Sequence, residues 1–424
     1  MSVQAAGTDH HLFPEPTKPV GPAYVISMFA AQFVFFVALL GPAIVGVAVK
    51  INSFVPEAER NAAIGTVMGV GALGAALSNI VFGRLSDRTT SAWGRRRPWI
   101  VGGTIVMTAA FALLATGQSV GIVTLGWFIA QIGANATLAA FLATMSDQIP
   151  EKQRGSLAAI LGIAQNVGIL GGTIVAEQFA DNLMLMFVGP AVFAIIAMAI
   201  FAFVLPDQVL PTKPPALSLG EWARTFWVSP AKHPDFAYAW LSRFLIVLGT
   251  FMFTTFRLNF LIDRLDLTQG DALAAVTLGV TFYTIALVLS GWVAGKLSDM
   301  TGRRKVFVAA STALFAIGTA LLTQVGSLNG FYLVEVILGL AFGVYMGVDL
   351  ALVVDVLPNP DDAAKDLGVF NLANAVPQTL APLVAASLLG ISSATGQNYD
   401  LMLYAAAGLT LIGAFAILPI KSVK

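Results

Sequence analysis

Two arginines and two acids stand in stretches that are otherwise apolar: Arg243 and Arg257 within residues 237–262, Glu335 and Asp349 within residues 329–352. Ionisable groups are expensive in such surroundings and mark binding or ion-transfer sites. Glu335, Phe342 and Asp349 recur every seven residues, so they share one helix face. If the two stretches are antiparallel helices, Arg257 matches Glu335 in depth and Arg243 matches Asp349, roughly 10 Å either side of the midplane at 1.5 Å per residue. A carboxylate beside a guanidinium can accept a proton, or can yield the guanidinium to a solute's hydroxyl or anionic group. The plainer reading of either pair is an ion pair that ties two helices together. Arg257 and Glu335 are therefore candidate solute contacts, and Glu335 and Asp349 candidate proton carriers.

Two neutral stripes add a second kind of chemistry. Trp127, Gln131 and Asn135 recur every four residues, and Asn371, Asn374 and Gln378 recur at three and four. Amides both donate and accept hydrogen bonds, and an indole offers a flat apolar face. Together they suit a ring with hydroxyls at its rim and C–H groups on its faces. Hydrogen bonding between helices is the alternative use of the same side chains.

The elements that must position these groups are membrane helices. Of 424 residues, 57% are hydrophobic and 11% charged, where a soluble chain carries about 25% charged residues. Twelve apolar windows fit a ~30 Å hydrocarbon core, at about 24–48, 62–82, 99–117, 121–145, 157–178, 184–205, 237–262, 271–294, 305–323, 329–352, 368–390 and 399–419. The runs are continuous rather than alternating, and helices satisfy their own backbone in lipid. The chain divides into an N-terminal tail (1–23), a six-helix bundle (24–205), a link with six prolines (206–236), a second bundle (237–420) and a short tail (421–424). With both termini in the cytoplasm, 18 of the 23 Lys and Arg residues face that side, as the positive-inside rule asks. The first 23 residues hold no apolar core, so no cleavable signal peptide is expected.

The balanced charge of 23 basic and 23 acidic residues gives nucleic acid no footing. Cysteine is absent and the three histidines, His10, His11 and His233, lie outside the apolar windows, so neither a disulfide nor an intramembrane histidine metal cluster is expected. No Gly-Lys-Ser or Gly-Lys-Thr phosphate loop occurs, which argues against ATP as the energy source. Neither an enzyme nor a cofactor is expected.

Basic clusters punctuate the windows twice, as GRLSDRTTSAWGRRRPW at 83–99 and GKLSDMTGRRK at 295–305. Asp87 and Asp299 are 212 residues apart; after a four-residue insertion the offset falls to 208, pairing Gly94 with Gly302, Asp147 with Asp355 and Asn166 with Asn374. The two halves are repeats, which is the organisation of secondary transporters with a mid-membrane site between the repeats.

These two stretches resemble the loop 2–3 and loop 8–9 signatures of the major facilitator superfamily. Ser86-Asp87-Arg88, Ser91, Gly94 to Pro98 and the run NLANAVPQTLAP at 371–382 resemble, more narrowly, the sucrose–proton and glycoside–pentoside–hexuronide cation symporters. Helix 7 departs from that branch: where it carries an acid-Trp-x-Gly-Arg run, this chain reads FTTFRLNF at 253–260. The efflux signature of helix 5 is likewise missing its Gly-Pro pair at 168–172. The resemblance implies alternating access and proton-driven uptake of a sugar or glycoside; a proton-coupled efflux antiporter for an amphiphilic compound is the other reading. It makes Asp147 a coupling acid, although a loop anchor for Arg154 is the alternative. It further implies that Asp87, Arg88, Arg95, Arg96, Asp299, Arg303 and Arg304 gate the cytoplasmic side. Asp87 would accept from the start of helix 11 near 366–368 and Asp299 from helix 5 near 155–156, since carboxylates are favoured at helix N-termini. A monomer is expected.

Overall fold

The computed structural model describes residues 16–210, 228–357, 363–393 and 397–421. Parts of both expected tails and of the central link (1–15, 211–227 and 422–424) lie outside the described residues. Among those described, twelve helices are long and apolar enough to cross a membrane, as the apolar windows predict. They are α1 (Pro22–Asn52), α2 (Glu57–Asp87), α3 (Arg97–Thr116), α4 (Val120–Gln148), α5 (Glu151–Gln178) and α6 (Leu183–Val204), then α7 (Pro234–Leu265), α8 (Gln269–Thr301), α9 (Arg304–Leu321), α10 (Leu328–Asp355), α11 (Ala363–Gly390) and α12 (Tyr399–Ala416).

Several helices outrun their windows. Asp87 and Gly295–Thr301 are not loop residues: α2 continues to Asp87 and α8 to Thr301. The physical reason is that hydropathy marks where lipid ends, whereas Arg, Lys and Leu propagate a helix equally well in water. Starts are signalled locally, by Ser119, Thr268 and Asn398 accepting the first backbone amides of α4, α8 and α12. Pro22 and Pro234 sit where a missing N–H costs nothing. Inside α1, Pro42 opens a π-turn over Pro42–Gly46.

Packing repeats under a shift of six helices. In the first half α1 packs on α5 and α6, α4 on α2 and α3, and α3 on α6; in the second, α7 packs on α11 and α12, α10 on α8 and α9, and α9 on α12. The halves meet through α2 against α11 and α5 against α8, two contacts that the same shift exchanges. This is the packing form of the 212/208 repeat.

Small residues let the helices close. A Cβ on Gly41 would fall 2.5 Å from the Gly172 carbonyl oxygen, and one on Gly347 2.5 Å from that of Gly291. Without water to squeeze out of such contacts, tight van der Waals packing is what holds membrane helices together. An even number of spans puts the helix ends near both termini on one face, here the terminal face, and the opposite ends on the distal face.

Candidate functional site

The polar groups of the second half gather on α7, α10 and α11. Near the terminal face, Arg243 pairs with Asp349, its Nε donates to Asn374 Oδ1 at 2.8 Å, and its guanidinium lies 5.0 Å from the Phe370 ring centre. Nearer the distal face, Arg257 Nε lies 3.2 Å from Glu335 Oε1, with side chains only 5% and 0% exposed. Both pairs that depth-matching expects are thus present. They differ in quality: among the described residues the Arg257 Nε and both Glu335 oxygens find no hydrogen-bond partner. Phe253 and Gly279 close around this pair; a Cβ on Gly279 would fall 3.3 Å from the Glu335 Cγ. Fourteen residues, roughly 21 Å of helix, separate the pairs. Phe342 fills the interval and packs on Tyr283, Phe315 and Tyr345. The arrangement is an apolar, aromatic midsection with an ion pair at either end.

The neutral stripes fare unequally. Gln131 and Asn135 are half-buried, and the Asn135 amide donates to the Gln131 carbonyl at 2.9 Å. Trp127 is sealed inside the first bundle, stacked on Phe111 and pressed on Gly71, whose Cβ would fall 2.1 Å from the indole. As a solute contact Trp127 is therefore out of reach in this state, because the four-residue spacing drifts round the helix and turns it toward α2 and α3. On α11, Asn374 is committed to Arg243 while Gln378 is exposed; the Asn371 side chain lies outside the described residues.

On the terminal face the acids and arginines form two matched clusters. Arg96 spans Asp87 (2.6 Å) and Asp147 (2.8 Å), and Arg95 adds a second contact to Asp147 at 2.7 Å. The repeat mates do the same: Arg304 reaches Asp355 at 2.6 Å and Asp299 at 3.7 Å. Burial alone would lower the Arg96 pKa, but the hydrogen bonds and charges of Asp147 and Asp87 raise it above the ordinary arginine value. Asp147 therefore anchors Arg95 and Arg96 rather than Arg154, which donates instead to the Ile149 and Ser146 carbonyls. Those carbonyls belong to the unsatisfied end of α4. Asp87 and Asp299 each have an arginine within their own half; the contact expected between Asp87 and the start of α11 at 366–368 lies outside what is described of those residues. Arg88 follows the last residue of α2, and Arg303 precedes the first of α9.

Sequence reasoning missed two features. Asp207, just after α6, accepts from the Arg96 and Arg97 amides at 2.7 and 2.9 Å and so caps α3. Its partners are 111 and 110 residues away, which no local signal announces. The second is a polar chain joining the halves at the distal face. Asn52 donates to Asn259 (2.8 Å), Asn259 to Asn61 (2.8 Å), Asn61 to the Tyr399 hydroxyl (3.2 Å), and Tyr399 to Asp263 (2.6 Å). Arg60 pairs with the other oxygen of Asp263.

A family model described as Major Facilitator Superfamily matches residues 23–292 and again 239–423. An uncharacterized symporter of Synechocystis is 46% identical over 54 residues, 13% of this chain and 9% of that protein. Multidrug resistance protein 3 of Bacillus subtilis is 30% identical over 121 residues, 28% of this chain and 23% of that protein. The matched stretches thus span well under two thirds of either relative. A bacterial homologue of the human lysosomal transporter Spinster, solved inward-facing and occupied, shares the fold with a TM-score of 0.72 at 14% identity, over 96% of this chain and 98% of that one.

Proposed function

The chain belongs to the major facilitator superfamily, and from that premise we propose that it carries a small polar solute, a sugar or glycoside, across the cytoplasmic membrane by proton symport. The observation that carries this reading is the Arg257–Glu335 pair: a wholly buried carboxylate, neither oxygen hydrogen-bonded among the described residues, facing a guanidinium at 3.2 Å. A proton on Glu335 would free Arg257 for a solute hydroxyl, and loss of that proton would take the guanidinium back. Cation and solute then change each other's affinity, as coupling requires. Gln131, Asn135, Asn374 and Gln378 supply the amides for the solute, and the tyrosine–phenylalanine midsection its apolar faces. Asp349 and Asp147 are the further candidate coupling acids of this reading. The terminal-face clusters of Asp87, Arg88, Arg95 and Arg96 and of Asp299, Arg303 and Arg304 gate the cytoplasmic side. The bias of 18 of 23 Lys and Arg residues supports both termini in the cytoplasm, and each half supplying the other's partner surface supports a monomer.

The test uses purified protein in proteoliposomes with an internal pH dye and a panel of sugars and glycosides. Acidification on adding one sugar, lost in Glu335→Gln, is the expected result. The stretch shared with a multidrug resistance protein favours proton-coupled efflux as the second reading. Silence across the panel, with amphiphile-driven proton movement under an imposed gradient, would establish that reading instead.

A further inference from the structure

The distal polar chain crosses between the halves three times. Asn52 on α1, Arg60 and Asn61 on α2 belong to one half; Asn259 and Asp263 on α7 and Tyr399 on α12 belong to the other. Its donors run one way, from Asn52 through Asn259, Asn61 and Tyr399, and end on one carboxylate. Arg60 ends on the same carboxylate from the facing half. An ionised carboxyl group is an acceptor only, so the charge on Asp263 sets the direction of every hydrogen bond in the row. Hydrogen bonds aligned in series also polarise one another.

We propose that Asp263 is a proton site: ionised, it locks the distal face shut, and taking a proton from the distal side releases the lock. The inference rests on the alternating-access reading above and names an acid outside the central pair. The Asp263 side chain is only 4% exposed, yet a polar cleft of about 120 Å³ lined by Asp263, Arg264, Gln397, Asn398, Tyr399 and Asp400 lies beside it. Neither Arg257 nor Glu335 lines this cleft, so it approaches the carboxylate separately from that pair. The other charged or titratable groups around it are accounted for. From α2 come Arg60, its partner, and Glu57, which accepts from Gln397 at 2.6 Å. From α12 come Tyr399 and Asp400, and Asp400 faces Arg264 at 3.4 Å. On its own helix Arg264, which also lines the cleft, donates to the Thr323 and Val325 carbonyls. Asp263 is thus the acid in this network whose charge is matched across the boundary of the halves. A protonated Asp263 loses the attraction of Arg60 across the boundary, and its new O–H opposes the Tyr399 donor that orients the crossing hydrogen bonds of the row.

The chain has no cysteine, so introduced pairs give clean spin labels in nanodiscs. Gly121→Cys with Asn329→Cys reports the distal face; both positions are exposed starts of α4 and α10. Thr90→Cys with Thr301→Cys, also exposed, reports the terminal face. Distances are measured from neutral pH down through the ordinary carboxylate range. Acid should lengthen the distal distance and shorten the terminal one. Asp263→Asn should hold the distal face open at neutral pH, raising the open-to-closed ratio about a hundredfold or more, the scale of breaking one partner of a buried pair, and should abolish the pH response. Tyr399→Phe, a milder change, should open it partly and keep the pH response. An unchanged pH response in Asp263→Asn, or unmoved distances in Tyr399→Phe, would overturn the proton lock while leaving alternating access standing. Distances fixed at both faces under every condition would overturn both.

Discussion

Replacing the two charges of the Arg257–Glu335 pair, singly and together, separates a working site from a structural tie. At 3.2 Å and an effective dielectric of ~20 the attraction is about 5 kcal/mol. Taking both groups out of water costs several kcal/mol each, so the net contribution of the pair to stability is near zero. Removing one member is a different matter, since it strands the other charge in a site that is 5% or 0% exposed. Arg257→Met or Glu335→Leu should each cost about 3–5 kcal/mol. The double variant should return to within about 1 kcal/mol of the parent, because two apolar side chains replace a pair that was only self-compensating. Unfolding can be followed by the fluorescence of the seven tryptophans, and solute-driven proton entry by the proteoliposome assay. The expected pattern is stability rescued in the double variant with transport absent. Transport at the parent rate in the double variant would refute the role given to the pair. Losses that simply add would refute the electrostatic coupling itself.

Two further outcomes follow from the packing. Asp147→Asn removes the carboxylate that Arg95 and Arg96 share at an 11% exposed site while Arg96 keeps Asp87, and should cost about 1.5–3 kcal/mol, whereas the repeat mate Asp355→Asn, 39% exposed, should cost under about 1 kcal/mol; parallel thermal unfolding of the two variants checks the ratio. Gly41→Ala would drive a Cβ to 2.5 Å from a backbone oxygen of α5, so a drop of roughly 1–3 kcal/mol is expected, against no loss for Gly83→Ala, where the added Cβ meets open space.

The helices, their order and the repeat are legible in the sequence because each depends on a local quantity: twenty apolar residues span lipid whatever lies elsewhere in the chain. The two ion pairs of α7 and α10 were legible for a related reason. Depth along a helix is linear in residue number, so a charge buried at a given level has few places to find its partner. Trp127 shows where that reasoning stops, since depth is linear but azimuth is not, and the indole points into its own bundle. The partner of Asp147 was misjudged because backbone carbonyls at the end of α4 compete for Arg154 and carry no sequence signature. Asn52, Asn61 and Asn259 were invisible for the opposite reason. Each is a single amide among many, and its partner lies 198 residues away or more.

The location of the polar contacts bears on how the protein moves. Within each half, the aspartate–arginine clusters at the terminal face and the glycine contacts of α1 with α5 and of α8 with α10 leave little room for helices to slide. Each half is therefore built to move as a body. Between the halves, the distal row is a connection of a different kind: three hydrogen bonds and one ion pair cross there, and the row they belong to ends on the carboxylate of Asp263. A packed glycine interface yields gradually, whereas a row ending on one carboxylate yields when that carboxylate changes charge. Stiff halves joined by a row with one controlling acid form the bistable element that alternating access requires. A solute and a proton can each bias such an element from their own sites, without any direct contact between them.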